Sequence, residues 1–292
     1  MATTQNALPA VSVVIPIGGA PALLKRCLEG LARQTFDPSL IEVIVVDDGH
    51  GQRGPAAARN IGWRQARAPI VAFTDEDTEP DPEWLEKGLA AFTGDVDAVS
   101  GRVMSPLSVA EYERGDFVAA NCFCRKDLLE EIGGFDERFD MAWRADSDLQ
   151  FRLLQAGARI LHEPRAVVVR PVRPAPWRVS LREQRKAMFD ALLYKKHRRL
   201  YREHVRAAPR WDYYAIVAAL LGGMLAALLG AYELAFVLGV VWLGFTATSC
   251  VRRLRGRPRT HVLETILTCV AIPPLAVFWR VVGALRFRVA LI

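Results

Sequence analysis

Residues 69–77, PIVAFTDED, join a short apolar run directly to three acids, Asp75, Glu76 and Asp77. Runs of this length that are rich in β-branched and aromatic residues are typical of buried strands. A buried strand that ends in carboxylates has two interpretations. Either the acids form a solvated loop, or they bind something cationic. The neighbouring segments of the chain bear on this choice, because they predict where in the fold the strand ends.

Two similar strands precede this one, and helical patterns separate all three. The first strand is predicted at residues 11–17, VSVVIPI, and the second at residues 41–49, IEVIVVDDG. Leucines at helical spacing follow the first strand, and residues 54–66 predict a helix that begins near Pro55. Strand, helix, strand, helix, strand in this order predicts right-handed crossovers and a parallel α/β sheet.

The carboxyl ends of parallel strands meet at one edge of the sheet, where ligands of such folds bind. Asp47 and Asp48 end the second strand, and Asp75 and Asp77 follow the third. An Asp-x-Asp pair on a tight turn can present hard oxygen ligands to Mg²⁺ or Mn²⁺, and such an ion can bridge to a diphosphate. Taken alone, the pair is equally compatible with a solvated loop.

Six motifs in a fixed order carry a family resemblance. They are VVIP, VVDDG, GPAAARN, FTDED, GGFDE and ADSDLQFRLLQAG, which lie between about residues 10 and 175. The set resembles the family 2 glycosyltransferases of the GT-A fold. The resemblance implies a mostly parallel sheet with flanking helices. It also implies an inverting transfer of a sugar from a nucleotide diphosphate to an acceptor hydroxyl or phosphate.

The same resemblance implies roles on the side of the sugar donor. Ile15, Pro16 and Asp48 should border the nucleotide base. Arg59 should lie near the base or the diphosphate, since a guanidinium suits phosphate oxygens. The alternative for Arg59 is an exposed charge on a helix. UDP is the nucleotide that the family favours.

Two carboxylates are assigned to a divalent cofactor, Mg²⁺ or Mn²⁺, by this resemblance. Asp75 should contact the ribose or the metal, and Asp77 should be the principal metal ligand. Many relatives have a histidine after a later strand, where the segment AVVVR of this chain has Arg170. A cation cannot ligate a metal but can contact phosphate, so the third protein ligand is left open.

On the acceptor side, the family opens a helix with an acidic pair, and this chain has Ala145-Asp146 at that point. Asp146 matches the family's general base, which takes the acceptor proton as the hydroxyl attacks the anomeric carbon. A helix N-cap is the alternative role for this aspartate. Asp148 is expected to cap or brace the same helix.

Charge is distributed unevenly along the chain, although the net charge is only +6. Residues 1–150 carry a net charge of −11, residues 151–210 one of +12, and the remainder one of +5. The acidic first half would oppose nucleic-acid binding, so none is expected. Five cysteines without a C-x-x-C pair predict no disulfide framework, and Cys122-x-Cys124 is expected to fill the core.

Two uncharged stretches, residues 213–232 and 234–251, predict a membrane hairpin. Each approaches the roughly 20 residues that a helix needs to cross a hydrocarbon core. A helical hairpin buried in a soluble core is the alternative. Basic residues on both flanks predict a multi-pass protein of the cytoplasmic (inner) membrane with its catalytic domain in the cytoplasm. The amino terminus, which lacks a basic n-region, does not predict a signal peptide.

A third apolar stretch, residues 265–279, contains Pro273-Pro274 and is short for a span, which favours a re-entrant or interfacial helix over a third crossing. Residues 181–204 mix cations with apolar positions, a pattern typical of an anionic membrane surface, and a plain connecting helix is the alternative. The predicted boundaries are residues 1–177 for the transferase domain, 178–211 for the basic segment, 212–251 for the hairpin and 252–292 for the remainder.

These features predict a membrane-anchored inverting glycosyltransferase with a lipid or lipid-linked acceptor, because a soluble acceptor would not require an enzyme at the bilayer. One alternative is a nucleotidyltransferase, which would carry a glycine-rich phosphate loop where this chain has only Gly18-Gly19. The other is a non-catalytic membrane scaffold. It is favoured by Ala145, by Arg170 and by the altered DDGH loop.

Overall fold

A computed structural model describes residues 8–47, 53–105, 117–171, 179–254 and 262–290. The chain divides into two compact units, Met1–Arg173 and Pro174–Ile292. The elements of the first unit are, in chain order, β1 Val11–Ile17, α1 Pro21–Ala32, β2 Ile41–Asp47, α2 Gly54–Gln65, β3 Ile70–Thr74, β4 Glu79–Pro80, α3 Trp84–Ala90, β5 Ala98–Met104, β6 Asn121–Arg125, α4 Lys126–Ile132, α5 Ala145–Gln155 and β7 Ile160–Val169.

The strands form one seven-stranded sheet in the order β2-β1-β3-β6-β5-β7-β4. β1 pairs in parallel with β2 and with β3, which confirms the arrangement predicted for the first three strands. β6 then lies antiparallel between β3 and β5, and β5 pairs in parallel with β7. The α/β fold class is therefore confirmed, but the sheet is mixed rather than mostly parallel, with three parallel and three antiparallel pairings among the described strands.

Strand β1 lies inside the sheet, and this explains its predominantly apolar sequence. Val11, Val13 and Ile15 are fully buried in the hydrophobic core. Pro16 has no amide hydrogen to donate, which usually excludes proline from central strands. It is accommodated because the pairing of β1 with β3 ends at Val14, while the pairing with β2 continues to the end of the strand.

Helix α2 lies directly on these strands. A Cβ atom at Gly62 would overlap the side chain of Val14 on β1 and would press on Val46 of β2. The glycine therefore lets the helix approach the sheet closely. This contact fixes the height of α2 over the parallel part of the sheet, and with it the position of Arg59, one turn earlier in the helix.

The second unit is helical in its described part. Its helices are α6 Val179–Arg182, α7 Met188–Lys196, α8 Arg198–Leu200, α9 Trp211–Leu228, α10 Tyr232–Leu254 and α11 Val262–Phe287. In the described part of the chain, three helical segments are long and apolar enough to cross a membrane. They are Trp211–Leu228, Tyr232–Arg252 and Ile266–Phe287. The middle one exposes large apolar side chains, among them Phe236 at 74%, as a surface in contact with lipid would.

Helix α11 continues through Pro273 and Pro274 for 26 residues, longer than the uncharged stretch on which the sequence estimate rested. That estimate stopped at Arg280, whose guanidinium is buried and lies 3.6 Å from the carboxylate of Asp190 on α7. Because the charge is paired inside the unit, it does not end the apolar helix. The helix is therefore long enough for a third crossing.

The basic segment before the hairpin is divided among short helices. Residues 188–193 of α7 are almost completely buried. Helix α7 packs on α11, where a Cβ atom at Gly283 would meet the backbone oxygen of Met188 at 2.5 Å. The ammonium of Lys195 donates to the backbone oxygen of Phe287 at the end of α11. The apolar positions of this segment therefore serve packing within the unit.

Candidate active site

The acidic turn begins where β3 ends. The backbone amide of Thr78 donates to the carbonyl of Asp75 at 3.1 Å, and the Thr78 hydroxyl donates to the same carbonyl at 2.7 Å. The middle acid, Glu76, accepts from the backbone amides of Gly18 and Ala20 at 3.1 and 3.4 Å. Sequence reasoning assigned no role to Glu76, which joins the turn to the loop after β1. The turn is thus stabilised by its own hydrogen bonds and by those to the loop after β1.

Two arginines hold the Asp75 carboxylate. Arg59 donates from Nη2 to Oδ1 at 2.5 Å, and Arg170 donates from Nη2 to Oδ2 at 2.7 Å. The Nε of Arg170 also lies 3.3 Å from Oδ1 of Asp77. Burial alone would raise the pKa of Asp75, but the two guanidinium groups outweigh it and hold the pKa below its usual value. Asp75 is therefore ionised at neutral pH.

Arg59 is 6% exposed, so the alternative of an exposed helix charge is wrong. Its guanidinium carbon lies 5.5 Å from the centroid of the Phe135 ring, in the GGFDE motif. Its Nε is buried and has no hydrogen-bond partner. A buried N–H group without a hydrogen-bond acceptor is rare in folded proteins, because its burial is not compensated. It leaves this cation with hydrogen-bonding capacity for an anion.

Asn60, the next residue of α2, joins the helix to the GGFDE motif. Its amide nitrogen donates to the Phe135 carbonyl and to the Glu137 carboxylate, both at 2.8 Å. Its amide oxygen accepts from the Phe135 amide and from the Trp63 indole, also at 2.8 Å. Sequence reasoning missed this role, although Asn60 closes the quoted motif GPAAARN. The bonds bring the acceptor-side segment to the helix that carries Arg59.

Asp146 lies in the first turn of α5 and accepts from the backbone amide of Ser147 at 2.8 Å. The N-cap position belongs to Arg144, so Asp146 does not occupy it. Burial raises the pKa of Asp146, and the charges of Arg59 and Arg144 offset this only in part. The guanidinium that bonds Asp75 thus also acts electrostatically on Asp146. A carboxylate with a raised pKa is suited to accept a proton.

The backbone before α5 is unusual. Arg144 has φ of 67°, the left-handed region that residues other than glycine rarely adopt. Its guanidinium carbon lies 4.7 Å from the centroid of the Trp143 ring. Strained backbone of this kind is concentrated at functional sites. The conformation turns the chain into α5 immediately ahead of Asp146.

Asp148 braces the helix, as the sequence predicted. It is fully buried and accepts from Nε of Arg152 at 2.9 Å. The same guanidinium donates to the carbonyls of Ile132 and Gly134 at 2.8 and 2.5 Å. A buried aspartate whose charge is already paired in this way has a structural role. Asp146 is therefore the better candidate for chemistry in this helix.

The other residues predicted on the side of the sugar donor differ in their exposure to solvent. Ile15 is fully buried in the core, and Pro16 is buried beside it near the end of β1. Asp47 is exposed at the end of β2, while Asp48 lies outside the described residues. Of the predicted site residues, Arg59, Asp75, Asp77 and Asp146 form one electrostatic group, joined by Arg59 and Arg170.

The side chains of the site can be compared with the ligands that a divalent metal ion requires. Among the described residues, no group of three or more histidine, cysteine, aspartate or glutamate side chains could hold a metal by itself. Asp75 and Asp77 do supply two hard oxygen ligands. Magnesium sites often combine one or two carboxylates with substrate phosphates. The residues therefore fit an ion that is shared with a phosphate ligand.

The sequence model described as Glycosyl transferase family 2 matches residues 12–52 and 49–142. The first unit is a family 2 glycosyltransferase domain. The matched residues include Arg59, Asp75 and Asp77, so the donor-side group lies inside the family match. Asp146 lies four residues beyond its end. Its candidacy rests on the motif that opens α5 and on the electrostatic coupling to Arg59.

Curated relatives agree with this assignment. The chain is 28% identical over 216 residues to the glycosyltransferase AglE of Haloferax volcanii, an alignment that covers 58% of this chain and 69% of AglE. It is 31% identical over 205 residues to the pre-mycofactocin glycosyltransferase of Mycobacterium tuberculosis, covering 54% of this chain and 42% of that protein. The chain therefore spans less than half the length of the second relative.

A solved structure shares the fold. It is the mannosyltransferase PcManGT from Pyrobaculum calidifontis, in complex with GDP-Man and Mn²⁺. The two structures have a TM-score of 0.59 and 19% sequence identity, and the match covers 96% of this chain and 87% of that one. Identity this low shows the fold alone. Together with the family match, it confirms the prediction of a family 2 glycosyltransferase with the GT-A fold.

Proposed function

We propose that this glycosyltransferase moves a sugar from a nucleotide diphosphate to an acceptor, with inversion at the anomeric carbon. The observation that carries the proposal is the position of Arg59 between the two halves of the site. Its guanidinium bonds Asp75 after β3, and its charge acts on Asp146 at the start of α5. A direct displacement requires the sugar donor and the general base to lie close together. The interactions of Arg59 with Asp75 and Asp146 support such an arrangement.

Donor binding rests on the cations beside the acidic turn. Arg59 and Arg170 offer guanidinium groups, which match phosphate oxygens in geometry and charge. The buried, undonated Nε of Arg59 supports a contact with the diphosphate. A divalent ion held by Asp77 and Asp75 would supply additional positive charge to the departing nucleotide diphosphate. UDP is the nucleotide predicted from the family, and GDP is the first alternative to test.

Asp146 is the proposed general base. It accepts the proton of the acceptor hydroxyl as the oxygen attacks the anomeric carbon and the bond from that carbon to the phosphate oxygen breaks. The electron pair of the broken bond leaves with the nucleotide diphosphate, where the guanidinium of Arg59 neutralises part of its charge. Burial around Asp146 raises its pKa and so makes it a stronger base than an exposed aspartate.

The acceptor is proposed to be a lipid or a lipid-linked molecule. Within its described residues, the same chain carries the transferase domain and three helices long and apolar enough to span a membrane. An enzyme anchored in this way meets membrane substrates at a high effective concentration. The basic flanks of the helices favour a catalytic domain on the cytoplasmic face of the membrane.

Release of nucleotide tests the proposal. The full chain in detergent is incubated with UDP- and GDP-sugars, Mn²⁺ or Mg²⁺, and a membrane lipid extract. We expect release that depends on added lipid and on one class of donor, with a product of inverted anomeric configuration. The variant Asp146→Asn should abolish release, whereas Asp127→Asn, an exposed acid at the start of α4, should not.

Three results would contradict the proposal. Absence of release with every donor would favour a non-catalytic scaffold. Release of inorganic pyrophosphate from a nucleoside triphosphate would favour a nucleotidyltransferase. Unchanged release in Asp146→Asn would remove that residue from the role of base.

A further inference from the structure

One guanidinium, that of Arg170, contacts both carboxylates assigned to a metal ion. Its Nη2 donates to Asp75 at 2.7 Å, and its Nε lies 3.3 Å from Asp77. These two atoms belong to one planar group, so the guanidinium lies between the two aspartates. A divalent ion held by the same pair would compete with this guanidinium for the carboxylate oxygens.

Each carboxylate assigned to the metal ion already has a guanidinium group beside it. Asp75 and Asp77 contribute two negative charges, and Arg59 and Arg170 contribute two positive ones. The remaining acid of the turn, Glu76, accepts backbone amide hydrogens of the loop after β1. A divalent cation that entered alone would meet two guanidinium groups beside the carboxylates that it needs. The same cation with a nucleoside diphosphate would bring its compensating negative charge.

We propose that Arg170 is a resident counter-cation of the Asp75–Asp77 pair, which a divalent ion displaces only when a diphosphate arrives to accept the guanidinium. This inference rests on the proposed nucleotide-diphosphate donor. It makes Arg170 a positioning residue that couples the binding of metal to the binding of nucleotide. By thermodynamic reciprocity, the metal strengthens nucleotide binding by the same factor.

The two arginines of the site differ in a way that selects Arg170 for this movement. The side chain of Arg59 is 7% exposed and lies over the Phe135 ring, so packing fixes it. The side chain of Arg170 is 26% exposed. Its backbone amide donates to the carbonyl of Met104 at 2.8 Å, which anchors the main chain at the end of β7. The guanidinium can therefore change partners while the backbone stays bound.

Binding of Mn²⁺ alone tests the inference, because it is measured without turnover. Electron paramagnetic resonance of the full chain gives the Mn²⁺ affinity with and without UDP or GDP. For the wild type we expect affinity to rise about tenfold or more when a nucleoside diphosphate is present. In Arg170→Gln, Mn²⁺ should bind without nucleotide about tenfold or more tightly than in the wild type, because the competing charge is gone.

Two further variants complete the experiment. Arg165→Gln is the matched control, since Arg165 lies on β7, the strand that Arg170 follows, is exposed and pairs with Glu163. Its Mn²⁺ affinity should equal that of the wild type. Arg170→Ser removes the same charge with a shorter side chain and carries the same expectation if the glutamine variant does not fold. Asp75 should keep its bond to Arg59 in both Arg170 variants, because that contact does not involve Arg170.

The outcomes separate this inference from the proposed function. Mn²⁺ affinity without nucleotide that is unchanged in Arg170→Gln and Arg170→Ser overturns the role of Arg170, even where sugar transfer is observed. The role of Arg170 is also overturned if the wild type binds Mn²⁺ with the same affinity in the presence and in the absence of UDP or GDP. Failure of every sugar nucleotide to bind or react counts instead against the proposed function.

Discussion

Arg59 donates a hydrogen bond to Asp75 across 2.5 Å, and this contact joins helix α2 to the carboxyl end of β3. The same helix is bonded through Asn60 to Phe135 in the segment before α5. Donor-side and acceptor-side groups of the proposed site thus meet at two consecutive residues of one helix. A substitution on either side of the site should therefore also affect the other side through its contacts with α2.

Replacement of the proposed base should remove turnover but keep the fold. In Asp146→Asn we expect the rate of sugar transfer to fall by about 10²–10⁴-fold, the usual contribution of a general base. Donor affinity should stay within about threefold, because Asp75, Asp77 and Arg59 are unchanged. Steady-state nucleotide release and calorimetric donor binding measure the two quantities. If Asp146→Asn lost donor binding as well as the rate of sugar transfer, Asp146 would have a role in binding rather than as the base.

The raised pKa of Asp146 predicts how activity depends on pH. The base works in its ionised form, so the rate should fall as pH drops through its pKa, which lies above the value of about 3.9 for an ordinary aspartate. Because the folded state disfavours this charge, Asp146→Asn should melt no lower than the wild type at neutral pH. A pH profile of kcat/KM and thermal melting test both. A profile flat down to pH 4 contradicts the assignment.

Arg59 should matter for both stability and donor affinity. Substitution by methionine removes a buried cation and its charged hydrogen bond, which we expect to cost about 2 kcal/mol in the free energy of unfolding. Affinity for a nucleoside diphosphate should fall about tenfold or more. Arg64→Met, on the same helix with a half-exposed side chain, is the control and should change neither. Equal diphosphate affinity in Arg59→Met and the control would exclude Arg59 from the donor site.

Adjacent glycines in the GGFDE motif should respond differently to alanine. Both have positive φ, 76° at Gly133 and 70° at Gly134. A Cβ atom at Gly133 meets nothing within 4 Å, so we expect only the left-handed cost of about 1–2 kcal/mol. At Gly134 it would overlap the indole nitrogen of Trp63, which adds overpacking and raises the cost to about 2–5 kcal/mol. Denaturant unfolding of the two variants should rank them in this order; the reverse order would show that α2 does not hold the motif.

In the second unit, the buried pair of Asp190 and Arg280 should stabilise the packing of α7 on α11. Both side chains are less than 10% exposed. Removing one partner leaves an uncompensated buried charge, so Asp190→Asn should destabilise the unit by about 3–5 kcal/mol. The double variant Asp190→Asn with Arg280→Met should recover most of this loss. Thermal unfolding in detergent compares them, and additive losses in the double variant would contradict the pairing.

Much of the first unit could be predicted because its signals are local. The strand at 11–17 matches β1 residue for residue, since a short run rich in β-branched residues favours a buried strand. The helix after Pro55 matches α2 to within one residue at its end. Cys122 and Cys124 are fully buried, as expected for core-filling residues. The third strand and its acidic turn followed from the same kind of pattern.

The features that escaped prediction depend on contacts between distant parts of the chain. Arg170 and Asp75 are 95 positions apart, so no local pattern shows that a guanidinium lies between the carboxylates. The antiparallel entry of β6 depends on its pairing with β3 and β5, which periodicity cannot reveal. The length of α11 was underestimated because Arg280 reads as an end signal unless its buried partner Asp190 is known.

The central claim is tested most directly by acceptor-dependent nucleotide release from one sugar nucleotide, measured side by side for the wild type, Asp77→Asn and Asp146→Asn. We expect turnover by the wild type, weak donor binding by Asp77→Asn, and normal donor binding without turnover by Asp146→Asn. Turnover at the wild-type rate in both variants would show that the carboxylates after β3 and at the start of α5 do not form the site of sugar transfer.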